Sequence, residues 1–106
     1  MTSELSTTSG IVWRCAGFDE LSPAELYAAM ELRQRVFVVE QNCAYLDADG
    51  VDARSHHLLG WRENNGRRRL IAYARLIPQR IKYAEASIGR VVTHPDESGL
   101  AEPVTA

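Results

Sequence analysis

The chain has 106 residues and a formal net charge of −2, which allows one folded domain and excludes a second one. Its residues are 45% apolar and 25% charged, values that exclude disorder and a membrane-embedded chain and predict a soluble globular domain. The near-balanced charge provides no broad positive field, so nucleic acid is not an expected partner.

The first ten residues, MTSELSTTSG, lack the basic and apolar regions of a secretory signal. We therefore expect a flexible leader over residues 1–10 and a cytoplasmic protein. Cys15 and Cys43 are too few for a disulfide scaffold and lack metal-ligand spacing, which agrees with a reducing compartment.

A first strand is predicted over residues 11–16 (IVWRCA), and a helix follows it. Ser22 has the character of an N-cap, Pro23 suits the first helical position, and Glu25 completes a capping box. Apolar residues at helical spacing extend this helix toward residue 37. The β-branched run 36–39 could form a strand, but no turn residue precedes it, which favours a helix that continues and then unwinds.

An acidic run follows the helix, with Asp47, Asp49 and Asp52 around Gly50. Carboxylates at alternate positions suggest a calcium loop, but the glycine and the twelfth residue do not fit that pattern. An Asp-Gly turn without a bound metal is the better interpretation.

Two further strands are predicted over residues 55–62 and 70–77, paired antiparallel through the turn signal Asn64-Asn65-Gly66. The arginines at 67–69 are interpreted as a solvated turn, because no aromatic residue alternates with them for base stacking. A fourth strand is predicted over residues 86–93, with Gly89 at a bulge or a close backbone approach. The folded domain is expected over residues 11–95, followed by an irregular tail over 96–106.

These elements and motifs, in this order, resemble the GNAT superfamily of N-acetyltransferases, in particular its ElaA-like branch. The resemblance covers roughly residues 13–95. The matching segments are Phe18-Asp19-Glu20-Leu21-Ser22, Leu26-Tyr27, Leu32-Arg33, Val36-Phe37-Val38-Val39-Glu40-Gln41, Tyr45 with Asp47, Asp49-Gly50 and Asp52, His57-Leu58, Ala72-Tyr73-Ala74-Arg75-Leu76, and Ile88-Gly89-Arg90-Val91-Val92.

The resemblance implies an α/β (α+β) fold with a mixed, mainly antiparallel sheet and flanking helices, of which the C-terminal part is missing. It also implies an acyl-CoA-dependent enzyme that transfers an acetyl group from acetyl-CoA to a small-molecule or peptide amine. The co-substrate would lie beside the fourth strand, where a bulge next to Gly89 would free backbone N–H groups of Val91, Val92 and Thr93. Such donors polarise a thioester carbonyl.

The chain departs from the family after the fourth strand, where the family has a basic, glycine-rich turn that binds the CoA pyrophosphate. Residues 94–101 read HPDESGLA, and their two acids would repel a diphosphate. We therefore expect impaired acetyl-CoA binding. The alternative is a non-catalytic remnant or interaction module that forms a homodimer through the exposed fourth strand.

The resemblance places Glu40 and His57 as candidate catalytic groups. Glu40 would act as general base, or alternatively fix the loop as a hydrogen-bond acceptor. His57 would relay a proton, or alternatively be a satisfied strand histidine. On the substrate side we place Gln41, Tyr45 and Arg75. A buried arginine needs a carboxylate, so Arg75 and Arg90 are also expected to pair with the acidic run.

Overall fold

The computed structural model describes residues 4–8, 10–41 and 46–96, and its centre is a five-stranded sheet in the order β1-β2-β3-β4-β5. All four neighbouring pairs are antiparallel, so the described sheet is a meander without a parallel pair. The strands are β1 (Glu4–Thr8), β2 (Ile11–Gly17), β3 (His56–Asn64), β4 (Arg67–Ile77) and β5 (Ser87–Thr93).

Strand β1 corrects the expectation of a flexible leader over residues 1–10. Glu4–Thr8 pair with β2 in a register that runs from Glu4 opposite Cys15 to Thr8 opposite Ile11. Gly10 has φ +76°, which permits the tight turn between the strands. The polar composition hid this strand, but pairing satisfies the backbone groups along the outer edge of β2.

Helix α1 (Pro23–Arg33) begins as the sequence predicts. The Glu25 N–H donates to Ser22 Oγ at 3.0 Å, and the Ser22 N–H donates to Glu25 Oε1 at 2.9 Å, which confirms the capping box. The helix continues as a π-helix over Gln34–Glu40, where the Gln41 N–H donates to the Val36 carbonyl at 3.0 Å. The β-branched run is therefore helical, and it continues in a wider turn than the α-helix before it.

The predicted hairpin is confirmed and is longer than expected. Asn65 (φ 57°) and Gly66 (φ 78°) form the two-residue turn between β3 and β4. The arginines at 67–69, predicted as a turn, are instead the first residues of β4. They pair with the end of β3, and their side chains are exposed.

The core lies between α1 and the middle strands. Ala29 and Leu32 of the helix pack against a cluster of buried residues contributed by β3, β4 and β5. The strand members of that cluster are Leu59, Trp61, Leu70, Tyr73 and Val92. Strand β4 is buried continuously from Leu70 to Arg75, as its two apolar faces predict. None of the described helices is long and apolar enough to cross a membrane.

Candidate functional site

An acidic loop, residues 46–52, joins one helix and two strands through three arginines. Asp52 Oδ1 accepts hydrogen bonds from Arg33 Nη1 of α1 at 2.7 Å and from Arg75 Nη1 of β4 at 3.0 Å. Asp49 binds Arg75 in a bidentate manner, with Nη1 to Oδ1 at 2.8 Å and Nη2 to Oδ2 at 3.0 Å. This planar fork is the strong geometry for an arginine and a carboxylate.

Asp47 extends the same network to strand β5. Its Oδ1 accepts from Arg90 Nε at 2.9 Å, and its backbone carbonyl accepts from Arg90 Nη2 at 3.0 Å and from Arg33 Nη2 at 2.7 Å. The carboxylate also lies beside Arg33, with Oδ2 at 3.1 Å from Nε. Asp47 therefore connects the end of α1 directly to the strand expected to carry the co-substrate.

The network confirms that Arg75 and Arg90 pair with the acidic run, but its most buried member is Arg33. The Arg33 side chain is 0% exposed and that of Arg75 is 1% exposed. The sequence carried a signal for Arg33, because this charge lies on the apolar line of the helix with Leu26 and Met30. A charged residue on a buried helical face needs a carboxylate partner.

The acidic loop is a turn, as predicted, and its carboxylates are occupied by arginines. Gly50 has φ +86°, and the Val51 N–H donates to Asp49 Oδ1 at 3.1 Å. Within residues 4–8, 10–41 and 46–96 there is no group of three or more histidine, cysteine or acidic side chains placed to hold a metal ion.

The arginines also set the protonation of these acids. The hydrogen bonds from Arg75 hold the pKa of Asp49 well below its usual range. Burial alone would raise the pKa of Asp52, but the hydrogen bond and charge of Arg33, with those of Arg75, lower it. Both groups are therefore carboxylates at neutral pH.

His57 is a buried residue of β3 beneath this network, 1% exposed. Its Nε2 lies 2.9 Å from the Asp52 carbonyl, which can only accept, so the proton is on Nε2. The Tyr73 hydroxyl, 2.5 Å from Nδ1, is then the donor to that nitrogen. Burial lowers the pKa of His57 and raises the pKa of Tyr73 to about 12, so both groups are neutral at physiological pH.

Strand β5 contains the bulge that the sequence predicts near Gly89. Tyr73 pairs with Val92 and Arg75 pairs with Gly89, so β5 holds one more residue than β4 across this interval. The left-handed residue at the bulge is Arg90, with φ 52°, whereas Gly89 does not have a positive φ. A glycine is therefore not required at position 89 by backbone conformation, and a Cβ there would meet no atom within 4 Å.

The hydrogen bond that follows β5 indicates which of its N–H groups face outward. The His94 N–H donates to the Ile71 carbonyl at 2.7 Å, in continuation of the register that pairs Thr93 with Ala72. N–H groups alternate between the two sides of an antiparallel strand. The Thr93 N–H therefore points away from β4, and the Val92 N–H points toward it.

The structure describes the remaining predicted site residues only in part. Gln41 is exposed at the end of the π-helix, and its N–H is used by the Val36 carbonyl. Glu40 is the last residue of that helix, and its side chain lies outside the part that the structure describes, as does the whole of Tyr45. The structure brings together Arg75, His57 and the bulged strand, and it leaves the position of the candidate base undescribed.

The chain is similar in sequence to proteins that are described in related terms. No family model matches the chain. It is 48% identical over 90 residues to a UPF0039 protein of Synechocystis sp., covering 85% of this chain and 56% of that protein. It is 43% identical over 84 residues to the protein ElaA of Escherichia coli, covering 77% of this chain and 52% of ElaA. The chain thus spans about half the length of these curated relatives.

Solved structures agree with this relationship. An acyl-CoA N-acyltransferase from Pseudomonas aeruginosa superposes with a TM-score of 0.75 and 39% identity, over 87% of this chain and 62% of that one. The Escherichia coli ElaA structure gives a TM-score of 0.74 and 40% identity, over 87% and 61% of the two chains. The chain is therefore an ElaA homologue with the fold of the GNAT acyl-CoA N-acyltransferases.

Proposed function

We propose that this chain forms the acceptor wall and the co-substrate strand of an acyl-CoA-dependent N-acyltransferase, with acetyl-CoA as donor and a small-molecule or peptide amine as acceptor. The observation that carries the proposal is the bulged strand β5, whose Thr93 N–H points away from β4. Strand β5 lies beside the acidic loop, and Asp47 of that loop connects the strand to helix α1. The solved relative whose structure is described as an acyl-CoA N-acyltransferase supports the donor class.

The chemistry requires polarisation of a thioester carbonyl and removal of a proton from the amine. Acyl-CoA supplies the activated carbonyl, and a backbone N–H of β5 at the bulge would donate to its oxygen, a contribution of about 3 kcal/mol for a well-placed donor. The neutral amine nitrogen attacks the carbonyl carbon to form the amide C–N bond, and the carbon–sulfur bond breaks. The proton that the nitrogen then loses balances the one that the departing thiolate takes up, which leaves the amide and the free CoA thiol. We assign donors from Val91 and Thr93, with Val92 and Gly89 fixing β5 through their pairing with β4.

A lysine-like amine costs about 4.6 kcal/mol to deprotonate at pH 7, so a base is useful. We propose Glu40 as that base, because it ends the π-helix, six positions before the acidic loop begins at residue 46, with Gln41 and Tyr45 contacting the acceptor. The enclosed position of His57 favours the structural alternative for this residue over a proton relay. Arg75, equally enclosed, would shape the acceptor wall through Asp49 and Asp52 rather than touch the amine.

Thermal melting with acetyl-CoA tests the proposal. Ligand at about one hundred times its Kd should raise the free energy of unfolding by about 2.7 kcal/mol. S-acetylpantetheine is the informative control, because it keeps the thioester and lacks the diphosphate. Residues 94–101 depart from the phosphate-binding motif, so we expect the two ligands to have similar Kd values. At equal concentrations they should therefore stabilise the chain about equally. No stabilisation by either ligand up to 10 mM would overturn the proposal.

Self-association through β5 is a second candidate function. Ile88 on this strand is 65% exposed, and β5 pairs with β4 alone among the described strands. A second copy could add its own β5 and satisfy the open edge. Light scattering across a hundredfold range of protein concentration, with Ile88→Lys as the disrupting variant, distinguishes a dimer from a monomer. A monomer throughout would exclude this candidate.

A further inference from the structure

The bulge in β5 is formed by a residue that is poorly suited to it. Arg90 has φ 52°, a left-handed conformation in which the Cβ of an L-residue crowds the backbone. Glycine is the usual residue at such a position, and Gly89 is next to it in the chain without a positive φ. The conformational preferences of the two residues alone would therefore favour the left-handed conformation at Gly89 and not at Arg90.

The contacts of the Arg90 side chain account for the left-handed conformation at residue 90 instead of residue 89. Its Nε donates to Asp47 Oδ1 at 2.9 Å, and its Nη2 donates to the Asp47 carbonyl at 3.0 Å and lies 3.4 Å from Asp49 Oδ2. The side chain is only 14% exposed, so these charged contacts are partly shielded from water. With the strand in regular pairing, the direction of the side chain at position 90 would change, and these contacts could not all persist.

The acids that hold Arg90 are themselves fixed from the opposite side. Asp47 contacts the fully buried Arg33 of α1, and Asp49 is held by both Nη atoms of Arg75. The acidic loop is therefore anchored to α1 and β4 independently of β5. These contacts hold Asp47 and Asp49 in position for their interactions with Arg90.

We propose that Arg90, held by Asp47 and Asp49, is the positioning residue that sets the β5 bulge and thereby aims the N–H groups of Val91 and Thr93 at the acyl-CoA. Its role toward the co-substrate rests on the function proposed above, whereas its control of the bulge does not. Arg90 acts through the strand backbone and does not itself touch the co-substrate. The acceptor wall and the co-substrate strand are coupled through this contact.

Two substitutions at the same position separate the side chain from the backbone. Arg90→Ala and Arg90→Gly both remove every contact of the guanidinium, but only glycine adopts a positive φ without strain. Arg80→Ala is the matched control, because Arg80 is also a non-glycine residue at positive φ (69°) and lies in the exposed connection between β4 and β5. The full chain is labelled with ¹⁵N and ¹³C, and the backbone shifts and couplings of residues 89–92 report the sign of φ and the pairing with β4.

We expect Arg90→Ala to lose the positive φ at position 90 and to shift the pairing of residues 87–89 with β4. We expect its Kd for acetyl-CoA to rise about tenfold or more, while Arg90→Gly keeps the bulge and a Kd within about threefold of the wild type. Arg80→Ala should leave both the β5 spectrum and the Kd unchanged. An unfolded Arg90→Ala beside a folded, bulged Arg90→Gly supports the same conclusion.

The outcomes distinguish the inference from the proposed function. If the wild-type chain does not bind acetyl-CoA, the proposed function fails, and the two spectra still decide whether the Arg90 side chain sets the bulge. If Arg90→Ala keeps the bulge, or loses it without a change in the Kd of a binding wild type, the positioning role is overturned. Unfolding of both Arg90 variants also overturns it, because the contacts would then serve overall stability.

Discussion

The two ends of strand β4 hold arginines in opposite environments. At one end Arg75 is 1% exposed and shares Asp49 and Asp52 with its neighbours, at distances of 2.8 to 3.0 Å. At the hairpin end Arg69 is 48% exposed and lies 3.8 Å from Asp96, which is itself 72% exposed. Its neighbour Arg68 stacks over the Trp61 ring, with Cζ 4.3 Å from the ring centroid.

The contrast shows under which condition an arginine requires a carboxylate partner. A guanidinium removed from water must be matched by carboxylates, and removal of either partner leaves an uncompensated buried charge. A solvated guanidinium needs no partner and adds little to stability. The acidic-loop end should therefore be sensitive to single substitutions, and the hairpin end should be tolerant of them.

The largest expected effect is at Asp52, whose Oδ1 contacts both Arg33 and Arg75. We expect Asp52→Ala to lower the free energy of unfolding by about 3–5 kcal/mol, because two buried guanidinium groups lose a shared carboxylate. Urea denaturation at pH 7 measures this change. The matched control is Asp96→Ala at the hairpin end, which should remain within about 0.5 kcal/mol of the wild type. Equal effects of the two substitutions would contradict the distinction between the ends.

A smaller effect is expected from pH, through His57. Its pKa is lowered by burial, so the folded state keeps the imidazole neutral while the unfolded state takes up a proton below its ordinary pKa of 6.5. Stability should therefore fall as the pH drops below 6.5, by at most about 1.4 kcal/mol per pH unit from this one proton. It should be insensitive to His57 above that value.

The variant His57→Gln tests this source of pH dependence. Its unfolding free energy between pH 7 and pH 5 should have a shallower slope than that of the wild type, whatever its absolute stability. Parallel profiles for the two proteins would refute the assignment. Below about pH 4, the lowered pKa values of Asp49 and Asp52 predict a further loss in both proteins, because the unfolded state then binds protons that the folded carboxylates do not.

The smallest effect is expected at the hairpin end. Arg68→Ala removes the contact with Trp61 and should cost about 0.5–1 kcal/mol, the range for an exposed cation–π pair. Arg67→Ala, at the neighbouring position, which is also exposed, should cost less than about 0.5 kcal/mol. Thermal melting followed by tryptophan fluorescence detects both the stability and the environment of the indole. A cost above 2 kcal/mol for Arg68→Ala would show that the stability of the hairpin end also depends on a single arginine contact.

Local signals in the sequence predicted the elements whose causes are local. The capping box at Ser22 and the turn at Asn65-Gly66 depend on neighbouring residues, and both are confirmed. The pairing of Arg75 with the acidic run followed from the need of a buried charge for a carboxylate. These inferences required only the residue types and their spacing.

Features that depend on distant partners were missed or misplaced. Strand β1 exists because β2 offers a free edge, a fact that is absent from its own polar composition. The sequence predicts a bulge or a close backbone approach at Gly89, whereas the left-handed residue of the bulge is Arg90, which Asp47 holds from 43 positions earlier in the chain. Arg33 lies on the apolar line of the helix, and its partners Asp47 and Asp52 lie in the loop that follows the helix.

The π-helix over Gln34–Glu40 also affects how this chain can change in length. A π-helix closes each turn with one residue more than an α-helix, so deletion of one residue between Gln34 and Val39 can be absorbed by closing to α-helical geometry. The same deletion in β4 would turn every following side chain to the opposite face of the sheet. Relatives could therefore differ by one residue in this segment and still keep the acidic loop against Arg33, which makes the end of the helix a natural position for small insertions and deletions.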